Sequence, residues 1–189
     1  GLFTANTMAC LTEAMGLSLT GCATALAVDE KKITLAKETG RRIGQVVRDG
    51  IRARDIVSMA SIRNAIRVDM SIGGSTNTAL HIPAIARDFG HKISLDLFDE
   101  ISRTVPHITS LRPGGPYSIR DLDNAGGIPA VLKELTDNKV HVEVPSIGAS
   151  LEGNLMFGLL VGKFKQSGME FPISLKRGDI ERNRPQTPE

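Results

Sequence analysis

Apolar positions recur along most of this chain at intervals of three and four residues, which is the helical period. Residues Ala5 to Met15 are good helix formers with few β-branched members, and Gly16 closes the run. The small, apolar stretch "LSLTGCATALAVDE" then predicts a close-packed turn or loop. Lys31 to Asp49 carries Ile33, Leu35, Ala36, Ile43, Val46 and Val47 between charged residues, an amphipathic helix ended near Gly50. "RARDIVS" reads as a connection. Ser58 is placed to N-cap a helix through Ile62, Ala65, Ile66 and Met70.

Gly73 and Gly74 interrupt the pattern, and Ser75 or Thr76 is placed to cap the helix that carries Ala79, Leu80, Ile82, Ile85 and Phe89. Pro83 in that helix requires a position in the first turns or at a kink. "ISLDLFDEISRTV" predicts a short extended stretch and a capped helix. "PHITSLRPGGPYSIRDLDNAGG", with three prolines and four glycines, predicts a long loop. Ile128 to Leu135 is a short helix with Pro129 in its first turn, and "VHVEV" alternates like a strand. After Ser146 the character changes: "LMFGLLVGKF" is apolar, and "SLKRGDIERNRPQTPE" reads as a frayed polar tail. The fold class is α/β and helix-rich. The division is residues 1–145 as one part and 146–189 as a divergent tail or the start of an interdomain segment.

Composition narrows this. The 189 residues are 41% apolar, with no Trp, one Tyr and six Phe, so the core is built from aliphatic side chains. The net charge of +2 is spread along the chain, without a basic stripe or interleaved aromatics, and nucleic acid is not an expected partner. No run reaches the roughly 18 to 20 apolar residues that cross a bilayer, and no signal peptide is visible. Membrane association is not expected, and the expected compartment is the cytoplasm, or an organelle stroma or matrix in a eukaryote. Cys10 and Cys22 form no CxxC and read as small buried hydrophobes in a reducing compartment.

Two stretches carry candidate chemistry. In "SIGGSTNTALHIPAIA" the glycines free the backbone, and Ser75, Thr76 and Asn77 place hydroxyl and amide groups at a helix start. Unpaired N–H groups there favour a carboxylate or phosphate, although an ordinary N-cap after a glycine hinge uses the same residues. His81 follows one turn later and reads as packed or hydrogen-bonded. In "LRPGGPY…DLDNAGGIPAVLKEL", Asp121 and Asp123 are a carboxylate pair suited to a divalent cation, and capping and turn formation explain them equally well. No Walker loop, GxGxxG, GxSxG, HExxH or EF-hand is present.

"GLFTANTMACLTEAMGLSLTGCATALAV", "DMSIGGSTNTALHIPAIA" and "LRPGGPYSIRDLDNAGGIPAVLKEL" resemble, in order and spacing, consecutive blocks of the dihydroxy-acid and sugar-acid dehydratase family. The resemblance covers about residues 1 to 145. It implies the latter part of an N-terminal domain that, when complete, is a three-layer parallel sheet flanked by helices. It implies a hydro-lyase converting 2,3-dihydroxy acids to 2-keto acids on the way to valine and isoleucine. The alternatives are a sugar-acid dehydratase (aldonate or phosphogluconate) and a non-catalytic remnant or interaction domain. The implied cofactors of the complete enzyme are an iron–sulfur cluster and Mg²⁺, and the implied assembly is a homodimer.

By the same resemblance, Gly1 follows a cluster-ligating cysteine in a G-x-C-x-G stretch. The remaining cluster cysteines, the Mg²⁺ ligands and a base serine match no position here, and Cys10 and Cys22 are not cluster ligands. This chain alone is therefore expected to bind neither cofactor and to be inactive. Candidate residues for the substrate and cluster pocket are Ala5, Asn6 and Thr7, with Met8 beside them, and Gly74, Ser75, Thr76 and Asn77. Helices without the sheet they cover leave apolar faces wet, so the isolated chain is expected to be marginal, oligomeric or partly molten.

Overall fold

The structure is a computed structural model, and it describes residues 1–138. The described residues form helices α1 (Thr4–Ala14), α2 (Glu30–Arg48), α3 (Ala53–Ile56), α4 (Met59–Ile72), α5 (Thr78–Asp88), α6 (Asp96–Ser102), α7 (Ile119–Asn124) and α8 (Gly127–Asp137). The helix-rich reading holds. Among the described residues the only β pairing is an isolated bridge between Leu111 and Tyr117. The expected strand at "VHVEV" and everything after it lie outside the described residues.

Helix α4 is the centre of the fold, packed against α1, α5, α6 and α8. Its buried face carries Ile62, Ala65, Ile66, Val68 and Ile72. Leu11 of α1, Ile82 of α5, Leu122 of α7, and Ile128, Val131 and Leu135 of α8 complete a single aliphatic core. Ser58 caps α4 as expected, its hydroxyl accepting from the Ser61 N–H at 3.3 Å. Gly73 ends α4 in the left-handed region with φ of 66°, a conformation that favours glycine.

Buried polar anchors fix the segment between α1 and α2. The Glu13 carboxylate accepts from the Gly21 and Ala23 N–H groups at 2.8 and 2.9 Å. The Thr24 hydroxyl donates to Asp123 at 2.6 Å, and Lys31 reaches the same carboxylate at 2.5 Å.

Several local expectations are corrected. The long loop from Pro106 to Gly127 contains α7, because Ser118 and Asp121 form a capping box: Asp121 accepts from the Ser118 N–H at 2.6 Å and from its hydroxyl at 2.7 Å. "RARDIVS" contains the single turn α3, closed by Arg52 and Asp55. Helix α6 has no side-chain cap, and no extended pairing precedes it. Helix α5 starts at Thr78, so neither Ser75 nor Thr76 is its N-cap, and Asn77 makes no capping bond. Pro83 lies in its second turn.

Helix α2 stands apart from the core and has no buried residue. Ile33, Ile43 and Val47 are 58%, 57% and 72% exposed. Its amphipathic pattern is real, and its apolar stripe is half-buried at Leu35 and Val46 and exposed at Ile33, Ile43 and Val47.

Candidate functional site

The two sequence stretches singled out above meet in space. Helix α1 begins beside the turn that joins α4 to α5, and hydroxyl groups tie them together. Thr4 Oγ lies 3.0 Å from Ser75 Oγ. The Asn77 amide donates to Thr4 Oγ at 2.7 Å. The Ser75 N–H donates to Thr7 Oγ at 3.2 Å, and the Asn77 N–H donates to Ser75 Oγ at 3.3 Å. Thr7 is fully buried beneath this surface.

Helices α1 and α5 both start here, and neither has a side-chain N-cap. The first N–H groups of a helix have no intrahelical partner, and the helix dipole makes this end positive. At α5 the N–H groups of Thr78, Ala79 and Leu80 are taken by the carbonyls of Ser75, Thr76 and Asn77, so it is the α1 end, together with the dipole of α5 and the hydroxyls between them, that makes a surface suited to an anion.

Beneath the turn lies a carboxyl group that sequence reasoning missed. Asp69, on the last turn of α4, is 2% exposed. Its Oδ2 lies 2.6 Å from Thr78 Oγ, and its Oδ1 has no hydrogen-bond partner. Burial pushes its pKa up from 3.8 to about 6, against the opposing hydrogen bond from Thr78. A side chain at Gly74 would overlap Asp69 Oδ1 and stand 2.8 Å from Thr7 Cγ2. Gly74 is glycine because the carboxyl group fills the space of a Cβ.

His107 packs on the other glycine. Its Nε2 is 2.9 Å from where a Gly73 Cβ would stand, and burial lowers its pKa. The segment after it is pinned along the end of α4: Ile108 N–H donates to Ser71 O at 2.7 Å, and Thr109 Oγ donates to Ile72 O at 3.2 Å.

Of the expected site residues, Thr7, Gly74, Ser75 and Asn77 belong to this cluster. Ala5 and Thr76 are exposed at its rim, and the Asn6 amide turns to the Gly1 carbonyl at 3.5 Å. Thr4, Asp69 and Thr78 were missed. The available signal was Asp69 itself, an acidic residue on the apolar face of α4, five positions before Gly74. His81 is exposed, which corrects the expectation of a packed or hydrogen-bonded imidazole. It points away because α5 buries Thr78, Ile82 and Ala86 instead.

Sequence comparison places the chain in a family. The family described as "Dihydroxy-acid/6-phosphogluconate dehydratase N-terminal" matches residues 1–153. The chain belongs to that family. It is 54% identical over 153 residues to dihydroxy-acid dehydratase 1 of Methanosarcina acetivorans, covering 81% of this chain and 28% of the relative. It is 54% identical over 156 residues to the dihydroxy-acid dehydratase of Methanothrix thermoacetophila, covering 82% and 28%. The match to the enzyme of Methanococcus maripaludis is 56% over 138 residues, covering 72% and 25%. The chain thus spans 25–28% of the length of these relatives.

The described residues do not by themselves fit the metal groups that the resemblance implies. Among them no three His, Cys, Asp or Glu side chains converge on a common point. Cys10 is buried, and desolvation, with Glu13 beside it, pushes its thiol up to about 12. Cys22 is half-buried, with the Lys32 ammonium 3.9 Å from its sulfur, so only Cys10 is the fully buried hydrophobe expected of both. Asp121 is committed to the α7 cap, and Asp123 to Thr24 and Lys31. Asp121 thus follows the capping alternative, whereas Asp123 does neither of the two things expected and instead ties α7 to the segment around Thr24 and Lys31. Among the described residues no helix is long and apolar enough to cross a membrane.

Proposed function

We propose that this chain is part of a hydro-lyase that removes water from a 2,3-dihydroxy acid to give a 2-keto acid, in branched-chain amino acid synthesis. The observation that carries this reading is the junction of the α1 start with the Gly74–Asn77 turn, in a chain 53–56% identical to proteins named dihydroxy-acid dehydratase.

The reaction takes a proton from C2 and the hydroxyl from C3, and the resulting enol becomes the ketone. C2 bears the substrate carboxylate. Two helix N-termini that neutralise this carboxylate lower the cost of building negative charge at the adjacent carbon. The Ser75 and Thr76 hydroxyls and the Asn77 amide supply short polar contacts that orient it. The proposed substrate is therefore a small anion held at its carboxylate end by this turn.

The iron–sulfur cluster and Mg²⁺ are proposed to be held by other parts of the full-length protein. Residues 1–145 are proposed as the portion of the N-terminal domain, with 146–189 as a separate segment. A homodimer is the proposed assembly, and the cytoplasm the proposed location.

The family description includes 6-phosphogluconate dehydratase, which favours a sugar-acid substrate as the second reading. Turnover by the full-length protein separates the two. Branched 2,3-dihydroxy acids are expected to be converted at least tenfold more efficiently than aldonates, a difference of about 1.4 kcal/mol in transition-state binding. The reverse order would establish the sugar-acid reading.

A further inference from the structure

The hydrogen bonds at Asp69 present a proton-counting problem. Thr78 Oγ lies 2.6 Å from Asp69 Oδ2 and 2.8 Å from the Ser75 carbonyl oxygen. A hydroxyl carries one proton, so Thr78 serves only one of these acceptors at a time. With Asp69 ionised, one contact is left without a proton. With Asp69 protonated, its O–H donates to Thr78, and Thr78 donates to Ser75 O. Oδ1, which is buried without a partner against Gly74, is then an uncharged carbonyl oxygen. A neutral orphan oxygen is far less costly to bury than an ionised one.

The same carboxyl lies directly beneath the turn read above as a carboxylate subsite, and the inference rests on that reading. We infer that an anion bound at the Gly74–Asn77 turn is taken up together with one proton, which Asp69 carries. An ionised Asp69, itself buried under Gly74, repels an anion on the turn above it. Protonation removes the repulsion and completes the chain from Asp69 through Thr78 to Ser75. The step forms one O–H bond on Asp69 with a proton from solvent and no bond to the ligand. The upward displacement of this carboxyl by burial places its titration where the uptake is measurable.

The elements packed on α4 carry further titratable groups. Cys10 on α1 is the thiol nearest to its charge. His107 packs on Gly73, and His81 on α5 is exposed. On α6, Asp99 pairs with Arg103, and on α8, Lys133 pairs with Asp137. His107 is therefore the competing carrier of the proton.

The test is calorimetric binding of 2-hydroxy-3-methylbutanoate, which lacks the hydroxyl to be eliminated, to the full-length protein near neutral pH. Two buffers of different ionisation enthalpy report proton uptake. About one proton per bound anion is expected. Asp69→Asn, an uncharged mimic of the acid, is expected to bind within about twofold of the native protein with no proton uptake and a flat pH profile. Infrared difference spectra are expected to show a carboxylic acid band gained on binding in the native protein only. Binding with equal heats in both buffers would overturn the inference and leave the carboxylate subsite standing. Uptake that survives Asp69→Asn and vanishes in His107→Gln would also overturn it. Binding that is indifferent to Ser75→Ala and Thr76→Ala would remove the subsite and this inference together.

Discussion

Thr4 and Ser75, 71 residues apart in sequence, hold their hydroxyl oxygens 3.0 Å from each other. This contact joins the start of α1 to the turn before α5 and assembles one polar surface from two sequence blocks. Removing either hydroxyl breaks this contact and leaves the Ser75 N–H bond to Thr7 in place. A double-mutant cycle of Thr4→Ala and Ser75→Ala in chemical denaturation is expected to give a coupling of about 0.5–1.5 kcal/mol. Strictly additive effects would mean that the two hydroxyls act independently.

Gly74 has no room for a side chain, because Asp69 Oδ1 and Thr7 occupy it. Gly74→Ala is expected to destabilise the fold by about 1–3 kcal/mol, since both neighbours are side-chain ends that burial holds in place. Denaturant midpoints would report this. An unchanged midpoint would show that the carboxyl group moves away freely.

Asp69 gives stability a defined dependence on pH. Its folded pKa is raised from 3.8 to about 6. The folded state holds this proton more tightly than the unfolded state, so the contribution is complete below the unfolded value and is lost as pH rises through about 6. The loss is about 2–3 kcal/mol. Asp69→Asn is expected to match the native chain in acid and to exceed its stability above neutrality. Glu13 is also raised, by burial against its two N–H donors, and leaves a residual slope of the same sign in the variant. Denaturation curves across pH check both the sign and the window.

The contrast between α4 and α2 separates packing from pattern. Ile66 is fully buried at the centre of the fold, whereas Ile43 on α2 is 57% exposed. Ile66→Ala is expected to cost about 2–5 kcal/mol, and Ile43→Ala less than about 0.5 kcal/mol. Equal losses would mean that α2 is covered in solution.

Helix positions were legible because their signals are local. The α1, α2, α4 and α8 spans follow from periodicity, Ser58 capping and terminating glycines, within a residue or two. Helix α7 was hidden in a segment rich in proline and glycine, although Ser118 and Asp121 stand three apart in capping-box spacing. The candidate site was half legible. Gly74 to Asn77 announces a turn with polar groups, and Thr7 lies in the first block. Periodicity does not say that the two blocks meet, or that a carboxyl fills the space under Gly74. Those facts depend on how α1 crosses α4, and only the packing shows them.

The most direct test of the proposed carboxylate subsite is the steady-state kinetics of Ser75→Ala and Thr76→Ala in the full-length protein, beside their denaturation midpoints. The expected result is a rise in KM for a 2,3-dihydroxy acid, or a fall in kcat, of tenfold or more, about 1.4 kcal/mol, in Thr76→Ala with its midpoint nearly unchanged and in Ser75→Ala well beyond what its lower midpoint accounts for. Native kinetics in both variants would place the substrate carboxylate elsewhere.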